Sequence, residues 1–436
     1  MIEPKKFSGI GIKLIFIALV FAALLVGLFC MKLKLNDREY TYNDAVEQIN
    51  DSAGGQFSLE GPYIIIPVMH TCYMETFIDG KNILEKIQTK EYVTVYAEKS
   101  VLDADIKTQM RPLGIYSSPV YTGTLNLSAT FTVPYENNYK GNDEYEYYFD
   151  QAEIILDTRQ KNLCSHPVFN VNGTETVSDV MQSESEQISY TVIGSKCAVT
   201  RGKNTFSTQI EFKGAKRFCI TPVSKETKLT LTSDWASPGF TDFDYLPDTR
   251  EITSQGFTAQ WNIPFADRSS QIGFRLVQPV DLYRQLERAY KYGFLFIIVP
   301  FIVMFLFEIF ADIVLHPVHY LLSGASNVIF FLLLLALSEH MIFPASYLIA
   351  AFASALLTSI YLASVTGKLK IGGSMMLLFA VLYAYLYFSL KSEDYAFLIG
   401  TLFAFCVLAC VMFLTRKVDW SSLHEPNTKN QSVSKV

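Results

Sequence analysis

Two groups of ionisable residues in the last third of the chain have the types and spacing to do chemistry. The first, here called the 308–319 cluster, consists of Glu308, Asp312, His316 and His319. The first three recur every fourth residue, so one helical face would carry them if a helix continued that far, although Pro317 is expected to end it. A carboxylate and imidazoles could ligate zinc or relay protons. We favour the alternative of a polar helix end, with Glu308 paired to a neighbouring helix.

The second group, here called the 339–394 cluster, lies at the opposite ends of the same apolar segments. It consists of Glu339, His340, Glu393 and Asp394, together with Arg288 and Lys291. Carboxylates buried at a membrane surface could form a binding or proton-handling site, because burial shifts their pKa values. Opposite charges brought to one depth could equally form a belt that fixes a helical bundle to an outer domain. We favour the belt.

Both groups must be positioned by a series of apolar segments that are long enough to cross a membrane. A hydrocarbon core of about 30 Å needs about 20 apolar residues in a helix. Five such runs follow one another between short polar breaks, at 290–310, 320–337, 345–365, 372–390 and 395–415. The sequence therefore predicts a five-helix transmembrane bundle over 290–415.

A sixth apolar run lies near the N-terminus, at 14–33. It is longer than the apolar part of a signal peptide, and Phe29-Cys30-Met31 lacks the small residue that cleavage requires. We therefore expect an uncleaved transmembrane helix 1. The predicted domains are a cytoplasmic N-terminus, helix 1, a β-rich domain outside the cytoplasm, the bundle and a polar cytoplasmic tail, at 1–13, 14–33, 34–289, 290–415 and 416–436.

The orientation follows from basic residues in the short loops. With five spans after the large domain, Lys368, Lys370, Arg416 and Lys417 share one side, whereas Lys391 lies on the other. Short cytoplasmic loops are enriched in Lys and Arg. We therefore expect both termini in the cytoplasm and the large domain outside it.

The large domain has the signature of β structure. Segments with alternating or β-branched and aromatic residues occur at 63–69, 91–98, 205–212 and 229–234. Turn-forming clusters separate them, at 54–55, 61–62, 137–138, 141–143 and 172–173. A short helix is expected at 43–52, and a sandwich or an irregular large sheet fits the rest. The fold class is thus an α-helical membrane bundle of about six transmembrane helices with a β-rich extracytoplasmic domain inserted between helix 1 and helix 2.

Composition and motifs argue against several functions. A net charge of −6 with 18% charged residues does not fit a nucleic-acid partner, which needs a concentrated basic face. We find no nucleophile elbow, phosphate-binding loop, dinucleotide fingerprint or zincin motif, so no catalytic, cofactor-binding or metal residue is predicted. A disulfide among Cys72, Cys164, Cys197 and Cys219 is possible outside the cytoplasm, but its pairing stays open.

An ordered series of short motifs runs through nearly the whole chain. Its members are Gly61-Pro62, Gly114-Ile115-Tyr116, Ser233-Asp234-Trp235, Pro279-Val280-Asp281-Leu282-Tyr283, His316-Pro317-Val318-His319-Tyr320, Leu337-Ser338-Glu339-His340, Ser392-Glu393-Asp394-Tyr395-Ala396 and Thr415-Arg416-Lys417-Val418-Asp419-Trp420. In this series the chain is similar to the CreD family of bacterial inner-membrane proteins. The resemblance implies an inner (cytoplasmic) membrane location and a part in cell-envelope integrity and stress response. It supplies no catalytic residues.

These observations lead to two functional expectations. The first is a non-enzymatic envelope protein whose periplasmic β domain binds an envelope component, such as peptidoglycan, lipid or another envelope protein, without a cofactor. The second is a transporter, or a protein that handles lipids or wall precursors, with its polar site in the 339–394 cluster. The oligomeric state stays open.

Overall fold

The computed structural model describes residues 9–78, 81–133, 144–182, 191–264, 269–278, 282–311, 313–391 and 396–416. The chain divides into two compact units. The helical unit joins Met1–Thr41 to Val280–Val436, and the β unit is Tyr42–Pro279.

The helices are α1 (Gly9–Ser52), α2 (Leu282–Lys291), α3 (Leu295–Phe310), α4 (Pro317–Ser338), α5 (Phe343–Thr366), α6 (Leu369–Lys391) and α7 (Ala396–Thr415). When α2 and α3 are counted as one segment, six of the described segments are long and apolar enough to cross a membrane. Each predicted apolar run overlaps one of these segments, because a helix must bring enough consecutive apolar residues to cross the hydrocarbon core.

Two helix boundaries differ from the prediction. The anchor at 14–33 and the separate helix expected at 43–52 are parts of one continuous helix, α1, of 44 residues. Leu24, Leu28, Met31 and Leu35 are buried at helical spacing on one side of it. Pro317, which was expected to end the preceding helix, instead lies at the first position of α4. A proline there costs no hydrogen bond, because the first N–H groups of a helix have no partner within it.

The β unit contains seventeen described strands. They are β1 (Phe57–Ile78), β2 (Lys81–Tyr96), β3 (Lys99–Leu113), β4 (Tyr116–Val133), β5 (Glu144–Tyr147), β6 (Ala152–Thr158), β7 (Val168–Val171), β8 (Thr174–Val177), β9 (Asp179–Gln182), β10 (Thr191–Cys197), β11 (Gly202–Ala215), β12 (Arg217–Thr221), β13 (Glu226–Ser233), β14 (Pro238–Gly239), β15 (Thr249–Thr253), β16 (Gly256–Pro264) and β17 (Ile272–Leu276). The strands form two sheets.

The first sheet has nine strands in the order β14-β17-β12-β1-β6-β10-β9, with β2 and β5 also paired to β1. The second has eight, in the order β15-β16-β13-β3-β4-β11-β7-β8. Along β11 buried and exposed residues alternate, because successive side chains of a strand point to opposite faces. One face of the eight-stranded sheet is therefore buried and the other is open.

The core of the β unit lies between the two sheets. Phe57 of the nine-stranded sheet stacks on Phe218 with ring centroids 5.3 Å apart, and it contacts Phe212 of the other sheet at 4.4 Å. Trp261 is fully buried in the same cluster. The β unit is thus a sandwich.

The predicted turns divide into three groups. Gly54-Gly55 and Asn172-Gly173 do form turns, with φ values of 102°, 75°, 53° and 86° that favour glycine or asparagine. The turn expected at Gly61-Pro62 is wrong: β1 continues through it, with a register shift between Glu60 and Tyr63. The clusters at 137–138 and 141–143 lie outside the described residues.

Candidate functional site

Glu308 joins three parts of the helical unit. It lies in the last turn of α3 with a side chain that is only 12% exposed. Its Oε2 accepts a hydrogen bond of 2.5 Å from Lys13 Nζ in α1. Its Oε1 accepts from the Tyr320 hydroxyl at 3.1 Å and from the Leu315 backbone N–H at 3.2 Å. Three donors satisfy this carboxylate, so the geometry is that of a helix-end clamp.

The two histidines of the 308–319 cluster have other partners. His316 caps the N-terminus of α4, where its Nδ1 accepts from the Val318 N–H at 3.4 Å. His319 Nδ1 lies 2.7 Å from the Tyr361 hydroxyl of α5, within hydrogen-bond distance. Because α3 ends at Phe310, Glu308 and His316 are not on one helix, and the helix does not continue far enough for one face to carry both. Asp312 lies outside the described residues.

A metal site was the alternative interpretation of the 308–319 cluster. In the described parts of the chain, no group of three or more His, Cys, Asp or Glu could hold a metal ion. Lys368 adds a further structural contact there, since its Nζ donates to the Ala311 carbonyl at 2.7 Å. A cation at the C-terminus of α3 complements the helix dipole. The contacts of Glu308, His316, His319 and Lys368 thus connect the ends of neighbouring helices.

The 339–394 cluster is only partly brought together. The Glu339 side chain is 7% exposed, and its Oε1 lies 3.7 Å from Arg38 Nε of α1. The Tyr283 hydroxyl of α2 donates to the same oxygen at 3.5 Å. Arg38 and Tyr283 were not among the predicted site residues, and the only sequence signal for Arg38 is its place just after the apolar run.

The other members of this cluster are more dispersed. Lys291 pairs with Glu287 at 3.2 Å within α2, and Arg288 is half-buried on the same helix. His340 is exposed after the end of α4. Glu393 and Asp394 lie outside the described residues. Among the described members, only Glu339 thus has the burial and the convergent partners expected of a functional carboxylate.

The two clusters lie at opposite ends of α4. This helix has 22 residues, and a rise of 1.5 Å per residue gives it a length of about 33 Å. That is close to the thickness of the hydrocarbon core. The ion pairs Lys13–Glu308 and Arg38–Glu339 are therefore separated along α4 by about the thickness of a hydrocarbon core.

Buried polar side chains join α4 to its neighbours between these ends. Asn327 is fully buried, and its Nδ2 donates to the Phe296 carbonyl of α3 at 2.7 Å. The hydroxyls of Ser326 in α4 and Ser354 in α5 are 3.2 Å apart. Small and polar residues of this kind bring membrane helices into close contact. Sequence reasoning overlooked them because single polar residues scarcely interrupt an apolar run.

The cysteines carry free thiols, each in the described part of the chain. Burial raises the pKa of Cys197 to about 11 and also raises the pKa of Cys219. Cys219 Sγ has a contact of 3.3 Å with Gln56 Nε2. The buried thiols act as small core residues, and the structure forms no bridge among the four described cysteines of the β unit.

Comparison with known proteins gives one consistent result. A family model described as "Inner membrane protein CreD" matches residues 9–421. The chain is also 28% identical over 431 residues to the inner membrane protein CreD of Escherichia coli strain K12. That alignment covers 93% of this chain and 92% of the relative.

Proposed function

The chain belongs to the CreD family of inner membrane proteins, and we infer from this that it serves the cell envelope through binding rather than catalysis. The resemblance noted in the sequence is thereby confirmed. The family and the six apolar segments support a multi-pass protein of the inner membrane. Our proposal adds the orientation of the protein in the membrane, a separate role for each of the two units and the absence of a catalytic step.

The proposed orientation has both termini in the cytoplasm and the β unit outside it, inserted between the first two spans. Lys368 lies in the short connection between α5 and α6, Lys370 lies in the first turn of α6, and Arg416 follows α7. The short connection between α4 and α5 contains no lysine or arginine. The tendency of short basic loops to stay in the cytoplasm supports this orientation.

We propose that the helical unit anchors the protein and that the β unit binds the ligand. This assignment rests on one observation: polar groups have different surroundings in the two units. In the helical unit, the buried carboxylates of Glu308 and Glu339 are already satisfied by side chains of other helices. In the β unit, the eight-stranded sheet has an open face where exposed polar side chains follow one another along β11 and β13. A membrane anchor with an outward binding surface accounts for both.

The first test is complementation of a deletion strain under envelope stress. The rescuing copy carries Glu339→Gln, His340→Ala, Glu393→Gln and Asp394→Asn, at a membrane level matched to the unmodified copy. We expect full rescue, because the proposed working part is the β unit. Failed rescue at a normal protein level would contradict the proposal and favour a transporter or lipid-handling protein with its site in the 339–394 cluster.

The second test measures binding directly. Full-length protein in lipid nanodiscs is mixed with isolated cell-wall sacculi and, separately, with vesicles of inner-membrane lipid. We expect co-sedimentation or co-flotation with at least one of these envelope components, whereas empty nanodiscs give the background. If the protein binds neither the sacculi nor the vesicles more than empty nanodiscs do, the proposal of an envelope ligand loses its support.

A further inference from the structure

A groove of about 450 Å³ runs between α5 and α6 in the helical unit. Its base is made of small side chains, Ala351 and Ala355 of α5 and Ala380 and Ala384 of α6. Residues four positions apart lie on one face of a helix, so each helix contributes a strip of small residues. Apart from three tyrosines, the lining residues are apolar. The groove therefore suits an apolar chain better than a polar ligand.

The groove has the length of one lipid leaflet. Its α6 wall extends from Met376 to Phe388, and a rise of 1.5 Å per residue gives this stretch a length of about 18 Å. One leaflet contributes about 15 Å to a hydrocarbon core of about 30 Å. An acyl chain that crosses one leaflet would thus lie along the whole groove.

Large exposed side chains stand at the edges of the groove. They are Leu348 and Phe352 on α5 and Phe388 on α6. Membrane helices that associate through small residues bring their backbones close together. A second helix would meet these large side chains before it reached the alanines, whereas an acyl chain is thin enough to lie between them. The edges therefore favour a lipid chain over a helix.

One end of the groove carries an available positive charge. Tyr347 and Tyr387 meet at this end with ring centroids 5.4 Å apart. Lys391 follows Tyr387 by one turn of α6, and its Nζ lies 5.0 Å from the centroid of the Tyr387 ring. Among the described residues, Lys391 has no ion-pair partner. Its charge is therefore free to meet an anion at the end of the groove.

The N-terminus of α5 lies at the same end of the groove. Pro344, in the first turn of α5, is one of the lining residues. The N-cap residue, Ile342, has no side chain that could accept a hydrogen bond from the helix. A helix N-terminus carries a partial positive charge and attracts anions such as phosphate. The apolar groove thus ends at two positive groups.

A phospholipid has the complementary arrangement, because its negative phosphate group is joined through glycerol to acyl chains. Lysine binds phosphate as a point charge, and basic pockets between membrane helices bind lipid head groups. We propose that the groove binds one acyl chain of a bilayer phospholipid, whose phosphate group lies between Lys391 and the N-terminus of α5. This site belongs to the helical unit and goes beyond the ligand binding proposed for the β unit.

The test titrates full-length protein in detergent micelles with dioleoyl phosphatidylglycerol, and native mass spectrometry gives the dissociation constant of the first bound lipid. The groove variant carries Ala384→Phe. Because helical side chains lean towards the N-terminus, the introduced ring would cover Ala380. The matched control carries Ala353→Phe, at an exposed position of α5 outside the groove.

A second pair of variants tests the phosphate site. Lys391→Gln removes the charge at the end of the groove, and Lys370→Gln removes an exposed charge from the other end of the same helix. The second probe is dioleoylglycerol, which has the same acyl chains and no phosphate. All four substituted side chains are exposed, so each variant should keep the circular dichroism spectrum of the unmodified protein.

We expect the unmodified protein and both controls to bind phosphatidylglycerol with the same dissociation constant. Ala384→Phe should raise this constant at least about tenfold, because the acyl chain loses its space. Lys391→Gln should raise it about tenfold, because a charge-assisted hydrogen bond to phosphate is lost. Dioleoylglycerol should bind about tenfold more weakly than phosphatidylglycerol and should not respond to Lys391→Gln.

Three results would overturn the inference. Unchanged lipid binding by Ala384→Phe would show that the groove is not the site. Equal binding of the two probes, or no effect of Lys391→Gln, would refute the phosphate position. A dimer in the mass spectra that Ala384→Phe dissociates, with lipid binding unchanged, would assign the groove to a second copy of the chain.

Discussion

The ion pair between Lys13 and Glu308 gives a quantitative prediction for the helical unit. The two side chains are 21% and 12% exposed, and the contact is 2.5 Å. At that distance Coulomb's law gives about 2 kcal/mol in a medium as polar as water and about 7 kcal/mol at an effective dielectric of 20. Desolvation offsets part of this gain. We therefore expect a net coupling free energy of about 2 kcal/mol.

A double-mutant cycle isolates this coupling. The variants are Lys13→Met, Glu308→Gln and the double variant. The amide oxygen introduced by Glu308→Gln can still accept from the Tyr320 hydroxyl and the Leu315 N–H. The free energy of unfolding is measured by helical circular dichroism during titration of mixed micelles with a denaturing detergent. The cycle removes the effects that each substitution has by itself.

The exposed pair Lys34–Asp37 on the same helix is the control. Its contact is 2.7 Å, but its side chains are 54% and 63% exposed, and pairs of this kind contribute about 0.3 kcal/mol. Burial rather than distance is thus the variable that distinguishes the two cycles. Equal coupling in both cycles, below about 0.5 kcal/mol, would refute the conclusion that Glu308 is a clamp.

Two further predictions concern the β unit. Asp157 faces Glu60 across β6 and β1, and burial together with that carboxylate raises the pKa of Asp157 above its usual 3.8. The native state therefore keeps the proton of Asp157 to a higher pH than the unfolded state does. The free energy of unfolding consequently falls as the pH rises from 3.8 through the native pKa of Asp157. We expect Asp157→Asn to increase the free energy of unfolding by about 0.5–1 kcal/mol at pH 7 in urea titrations, with the gain vanishing below pH 3.8. A gain that persists there would show that charge is not its cause. For the thiols, we expect a maleimide at about pH 7.5 to label exposed Cys164 within minutes and buried Cys197 only after unfolding, because burial raises the pKa of Cys197 to about 11. Mass spectrometry of the labelled peptides checks this, and equal rates would contradict the packing of β10.

The sequence predicted the spans because each depends on a property of a single run. A length of apolar residues fixes a helix regardless of what lies beside it. The strand around Tyr63 was likewise visible from its continuous apolar run, and the strand around Phe212 from local alternation. The continuity of α1 was not visible, because polar residues such as Lys34 and Asp37 after the apolar run resemble a linker.

The partners of the candidate residues could not be read in this way. Glu308 was expected to pair with a neighbouring helix, but the sequence does not show that Lys13 supplies the charge from 295 positions away. The pairing of amides on the open face of the eight-stranded sheet depends on register: Asn126 meets Gln209 only because β4 and β11 pair as they do, and a shift of one residue would turn these amides into the core. Local patterns determine which face a residue occupies, and tertiary pairing determines what it meets.

The position of β1 in its sheet has a consequence for biogenesis. This strand is the first of the β unit to be synthesised, yet it pairs in parallel with β12. Phe57 therefore cannot contact its partner Phe218 until β12 has been synthesised. β2 covers one edge of β1 from Tyr63 onwards. Until β6 and β12 emerge, the edges at Leu59 and Glu60 stay open, and apolar residues such as Ile64 and Ile66 lack their core. Open strand edges of this kind readily pair with other chains. The nascent domain therefore needs protection through most of its synthesis, and a chain that stops before Thr221 lacks the strand that closes the sheet beside β1.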